Sequence, residues 1–277
     1  MGVMAFAYQG EGALDYFPCR YGASKLLFRG PRRSLEGSFC AVLGGTETYG
    51  KFVPRPFPDL LEEATGLRMV NLGCMNAGID VFLNDPTVVQ IASRSSLAIV
   101  QVVGAANLTN RLYAVHPRRN DRFLSASAVL QAMYREVDFA DFSFTRHMMQ
   151  TLHAVSPGKF EQVAAELRAA WVARMHTLLG RITAPTLLLW IANHAPPHGQ
   201  PLTPDVSPLL IDADMIAAVR PHATHYLEVV TSPEAGAAGT AGMRFPPLDA
   251  AVAAEVPGLA VHAEVAAALA PVLMRLI

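Results

Sequence analysis

The sequence predicts a three-layer α/β fold, a five-stranded parallel sheet covered by helices on both faces, and three observations predict it. Apolar runs of strand length alternate with amphipathic stretches of helix length along most of the chain. The clearest run, 97–104, is nearly all apolar and rich in β-branched residues, as in a strand buried on both faces. Several runs end in glycine or asparagine, the handover from a parallel strand to the loop at its carboxyl end, where open α/β sheets place their ligands.

Taken in order, residues 1–38 mix aromatic residues with a basic turn at Arg29-Gly30-Pro31-Arg32-Arg33 and read as an N-terminal extension packed on the domain. The first residues lack a positive stretch followed by an apolar one, so no signal peptide is expected. The domain proper is assigned to 39–277. Its first strand, 39–44, breaks at Gly44-Gly45 and opens into Thr46-Glu47-Thr48-Tyr49. A helix over 56–65 starts on Pro56 and Pro58 and stops at Gly66. The second strand, 69–74, leads into Asn76-Ala77-Gly78, and a helix near 86–95 begins behind Asp85 as its cap. After the third strand come Asn107, Asn110 and a charged loop. Helices are expected from about 125 to 180, giving a helical insertion at about 124–180. A fourth strand at 186–191, a proline-rich loop at 199–211, a helix over 212–220, a fifth strand at 226–231, a glycine- and alanine-rich loop and a helix over 260–276 complete the chain. Right-handed crossovers put all five strand ends on one edge, where the loops at 44–50, 74–80, 104–111, 192–199 and 231–247 meet.

Composition narrows the function. Of 277 residues, 52% are hydrophobic and only 16% charged, which fits a large core, an oligomer interface, or both. A net charge of -1 supplies no field for nucleic acid or acidic membranes, so neither is an expected partner. The alanine-rich segment near residue 260 is interrupted by Glu255, Pro257, His262 and Glu264 and is not read as a membrane span. Cys19, Cys40 and Cys74 have no metal spacing, and a reducing, cytoplasmic compartment is the expectation. No phosphate-cradling or dinucleotide-binding glycine pattern occurs, so no nucleotide cofactor is expected, and two prolines between His194 and His198 deny them a shared helical face, so no metal is expected.

Gly44-Gly45-Thr46-Glu47-Thr48-Tyr49-Gly50, the run 56–66, Val70-Asn71-Leu72-Gly73-Cys74-Met75-Asn76-Ala77-Gly78 and the run 99–107 together resemble the first half of an SGNH (GDSL-type) hydrolase. The resemblance covers roughly 38–110 and the terminal helix. It implies a flavodoxin-like sheet and an acyl ester hydrolase. Thr46 takes the place of the family's serine and Gly45 that of its aspartate; Gly73 or Gly78 matches the second block. Asn107 matches the third block's asparagine one residue late, and Leu259-Ala260-Val261-His262 lacks the aspartate that normally stands three residues before the histidine. The chain is also similar to a bacterial family of unknown function built on the same sheet, and acyltransferases of polysaccharide assembly use related folds.

The residues themselves offer this chemistry. A hydroxyl at a strand end, Thr46, serves as nucleophile when a base removes its proton, or simply caps the turn. Glu47 suits a general base or a sugar-hydroxyl acceptor, or a carboxylate at a helix start. His194, directly after the fourth strand, and His262 are the candidate bases. Gly45, Gly78, Asn76 and Asn107 supply neutral donors for an oxyanion or for ligand orientation. Arg111, Arg118, Arg119 and Arg122 form the densest charge cluster and suit a phosphate, sulfate or carboxylate. Three functions follow: an ester hydrolase or acyltransferase on a carbohydrate or other polar acyl substrate, a non-catalytic protein binding an anionic sugar, and an assembly subunit, with a homo-oligomer expected from the low charge.

Overall fold

A computed structural model describes residues 12–199 and 203–277. Residues 1–11, the start of the expected extension and the stretch read as lacking a signal peptide, lie outside the described residues, as do 200–202 of the proline-rich loop.

The elements run β1 (Cys40–Leu43), α1 (Thr46–Tyr49), α2 (Phe57–Thr65), β2 (Met69–Asn71), α3 (Ile79–Leu83), α4 (Pro86–Arg94), β3 (Leu97–Gln101), β4 (Tyr113–His116), β5 (Arg119–Ala126), α5 (Ala128–Met133), α6 (Thr145–Val155), α7 (Pro157–Arg181), β6 (Thr186–Ala192), α8 (Ala213–Val219), β7 (His225–Val230), α9 (Pro233–Ala237), α10 (Ala250–Ala253) and α11 (Leu259–Leu276). Five strands form one parallel sheet in the order β2-β1-β3-β6-β7. The chain steps outward from β1 to β2, then returns to the other side of β1. That reversal between β1 and β3 is the topological switch point where such sheets bind ligands.

Both faces of the sheet are apolar because both are covered. On one, Cys40, Val42, Leu97, Ile99, Leu187 and Leu189 pack against Phe57 and Leu61 of α2 and Val265, Leu269 and Leu273 of α11. On the other, Ala41, Leu43, Val100, Leu188 and Trp190 meet α3, α4, α7 and α8. Trp171 of α7 is fully buried, and its indole N–H donates to the Val103 carbonyl at 2.8 Å. α11 has the length and apolarity of a membrane span by composition, yet its buried face serves this outer layer. From residue 12 onward the N-terminal segment contributes Tyr21, Leu26 and Phe28 to the core, bridges Cys19 to Phe28, and sends the Arg29 guanidinium to the carbonyls of Gly50 and Pro54, each at 2.7 Å. All three cysteines are unpaired; burial pushes the Cys40 thiol up to about 11 and the Cys74 thiol up to about 12.

Two expectations need correction. The stretch read as a charged loop running into helices from about residue 125 is an antiparallel hairpin, β4–β5. Its inward residues Tyr113, Val115 and Phe123 are buried, but the register shifts around Val115, and that irregularity breaks the two-residue alternation by which strands are recognised. The polar burst at 46–49 is one helical turn, closed by Gly50 at φ 72°.

Candidate functional site

The strand end at Gly44 is built around Gln101. Gly44 lies so close that a Cβ there would sit 2.1 Å from Thr48 Oγ1 and 2.3 Å from Gln101 Oε1. Gln101 is buried at the end of β3, and its Oε1 accepts the Gly45 N–H at 3.0 Å and the Thr48 hydroxyl at 2.6 Å. Its Nε2 donates to Glu47 Oε2 at 2.8 Å. One side chain therefore fixes the turn and aims Glu47, and each of its polar ends is used. Sequence reading passed over Gln101; the signal was a lone amide inside an otherwise apolar strand.

Thr46 and Asn76 close on each other across the switch point. Thr46 Oγ1 accepts the Asn76 N–H at 2.9 Å and donates to Asn76 Oδ1 at 3.2 Å. Asn76 holds φ 53°, a left-handed conformation that asparagine tolerates better than most residues. Its Nδ2 donates to Asp121 Oδ2 at 3.2 Å, and its carbonyl accepts Asn107 Nδ2 at 3.0 Å. Asn107 Oδ1 accepts the buried Thr145 hydroxyl at 2.6 Å. Arg119 pairs with Asp121 at 3.4 Å. Beside this, Asn120 Oδ1 accepts the N–H groups of Gly78 at 3.2 Å and Val81 at 3.0 Å, so the hairpin caps the start of α3. Gly78 has to be glycine: a Cβ there would lie 1.5 Å from the Asn107 carbonyl oxygen. Asn120 and Thr145 were not singled out from sequence, because their partners lie in other loops; Asp121, read as an ion-pair partner of the arginine cluster, pairs with Arg119.

The structure brings Thr46, Glu47, Gly45, Asn76 and Asn107 to one edge, turns Glu47 toward Gln101, and engages both candidate histidines elsewhere than at the hydroxyl. Among the described residues, Thr46 Oγ1 bonds only to Asn76. The ring nitrogens of His194 face two carbonyls, Ala195 O at 2.7 Å from Nδ1 and Ser207 O at 3.1 Å from Nε2. His262 is buried between α2 and α11, stacked on Phe57 at 6.1 Å between centroids, with Nδ1 accepting the Phe57 N–H at 3.0 Å. Burial, then the nearby Arg29 charge, push its pKa down to about 3. Pro56 offers α2 no side-chain cap, and His262 fills that role from the far end of the chain. The expected oxyanion donors are also committed: Gly45 N–H to Gln101, Gly78 N–H to Asn120, and Asn107 Nδ2 to the Asn76 carbonyl.

The arginines are dispersed by the hairpin. Arg111 pairs with Glu166 of α7, Arg119 with Asp121, and the Arg122 guanidinium sits over the Phe144 ring at 5.2 Å. Arg118 is exposed at the hairpin turn.

Fold and site define the class: a parallel five-stranded α/β protein whose polar loops interlock where the strand order reverses. The chain belongs to the family described as a domain of unknown function (DUF6473), which matches residues 4–277. No curated protein matches it. Among solved structures it is similar to the lipase Lip_vut3 from a goat rumen metagenome, with 11% identity, 70% of this chain and 80% of that chain covered, and a TM-score of 0.36, a likeness too distant to bear on the site.

Proposed function

We propose that this chain is a divergent, SGNH-like protein that binds an anionic sugar, or another phosphate- or sulfate-bearing ligand, at the β1/β3 loops without acyl transfer through Thr46. The observation that carries this reading is the closed Thr46–Asn76 pair. The hydroxyl proton points at a carboxamide oxygen, which has no basicity to remove it, and so the nucleophile is not activated. The strand order β2-β1-β3-β6-β7 supports the flavodoxin-like part of the reading. Glu47, aimed by Gln101, offers hydrogen bonds to hydroxyls, and exposed Arg118 offers a guanidinium fork to an anion beside the Asp121-paired Arg119.

Two measurements test it. In a screen of short acyl esters, wild type and Thr46→Ala should give the same background rate; turnover in wild type that disappears in Thr46→Ala reinstates the acyl-transfer enzyme. Sulfate or phosphate should raise the melting temperature of wild type and leave that of Arg118→Ala/Arg119→Ala unchanged; no shift in wild type removes the anionic ligand.

A further inference from the structure

The two edges of the sheet are finished differently. β2 spans only three residues, and its outward Met69 N–H is taken by Glu62 Oε2 at 2.9 Å, with Arg33 paired to the same carboxylate. β7 spans six residues, His-Tyr-Leu-Glu-Val-Val, with no lysine, proline or bulge to protect it. The Thr231 N–H donates to the Ala192 carbonyl at 2.9 Å, which sets the phase of the ladder. Leu227 and Val229 turn their backbone groups toward β6, and Tyr226, Glu228 and Val230 turn theirs outward. Among the described residues no group bonds to those outward N–H and C=O groups. The helical layers stand back on both sides. A groove of about 600 Å³ separates β7 from Ile216, Ala217 and Arg220, and one of about 410 Å³ separates it from Val272 and Arg275.

We infer that a second copy of this chain pairs antiparallel along β7, with the two-fold axis at Leu227, so that two five-stranded sheets become one of ten. A two-fold edge contact must be self-complementary. Centred on Glu228, it would set two carboxylates directly opposite each other. Centred on Leu227, it sets Tyr226 against Glu228 of the second copy and the reverse, and both pairs are outward-facing, so each exchanges two N–H···O bonds. The side chains agree with this register. Arg220 lies over the Tyr226 ring at 5.3 Å, and Tyr226 already donates its hydroxyl to a Glu228 carboxylate at 3.0 Å. In the pair, each Arg220 therefore stands beside the incoming Glu228.

Sedimentation velocity on the full chain at micromolar concentration tests the inference. Wild type should sediment at twice the monomer mass. Glu228→Lys, which faces Arg220 of the other copy, should give monomer, and adding Arg220→Glu to it should restore the dimer. Leu227→Cys should cross-link across the axis under mild oxidation that leaves wild type uncross-linked, because opposed residues in a non-hydrogen-bonded pair have Cβ atoms about 4.5–5.5 Å apart. Circular dichroism checks that each variant is folded. A monomeric wild type overturns the inference, as does a dimer that survives Glu228→Lys, or a Leu227→Cys dimer that does not cross-link; a heavier species containing another polypeptide would mean a different occupant of the edge.

Discussion

The buried imidazole of His262 should make the protein acid-sensitive in a defined window. In the folded state the ring stays neutral, with a pKa near 3 against 6.5 when exposed, because burial penalises the charged form and the nearby Arg29 charge adds to that penalty, while the neutral Nδ1 accepts the Phe57 N–H. A depressed folded value means that the stabilisation is complete above pH 6.5 and is lost as the pH falls, since the unfolded chain takes up a proton that the folded one refuses. Working from those two values, the loss is about 2 kcal/mol at pH 5 and about 3 kcal/mol at pH 4. The pH 5 figure hardly depends on the folded value so long as that lies below 4. The perturbation is His262→Asn, whose Oδ1 accepts from the same N–H and does not titrate in this range. Urea unfolding of both proteins at pH 7.5 and pH 5 provides the assay. Wild type should lose about 2 kcal/mol more than the variant between the two pH values. Parallel losses in the two proteins would refute the reasoning, because the acid sensitivity would then belong to other groups.

Three further outcomes are expected. Gln101→Leu strands the Gly45 N–H and the Thr48 hydroxyl and should cost about 2–4 kcal/mol in chemical denaturation, with Glu47 released from its orientation. Gly78→Ala drives a methyl group into the Asn107 carbonyl and should destabilise by about 3 kcal/mol or more, seen as a lowered urea midpoint. Asn120→Ala uncaps Gly78 and Val81 at a cost of about 1–2 kcal/mol, and hydrogen exchange should quicken across 113–126, the hairpin it anchors, while β1 and β3 keep their protection.

The sheet was legible because its strands are covered on both faces. Runs such as 97–100 and 187–192 are continuously apolar, as strands covered on both faces must be. The turn at Gly78 was legible for a related reason, since close backbone approach leaves no room for a Cβ there. The hairpin escaped because its one buried polar pair, Asn120 and Asp121, sits among arginines and looks like a solvated loop. The partners of the site escaped for a reason of distance along the chain. Gly45 and Gln101 are 56 residues apart and Asn76 and Asp121 are 45 apart, and no local pattern announces such pairs. His262 shows the same limit: a histidine 205 residues from the amide it caps looks, in sequence, like any other candidate base.

The joining of α2 to α11 has a consequence for how the chain is made. One face of β1, β2 and β3 and the apolar side of α2 are complete once residue 101 has been synthesised, yet the helix that covers them, α11, begins at residue 259. At translation rates of roughly 5–20 residues per second, the ribosome needs about 8–30 s to bridge that interval. During it, the side of Val42, Ile99 and Leu61 that α11 covers in the folded protein has no partner on the chain. Holdase capture should therefore concentrate on chains stalled between residues 101 and 259 and end once α11 has emerged.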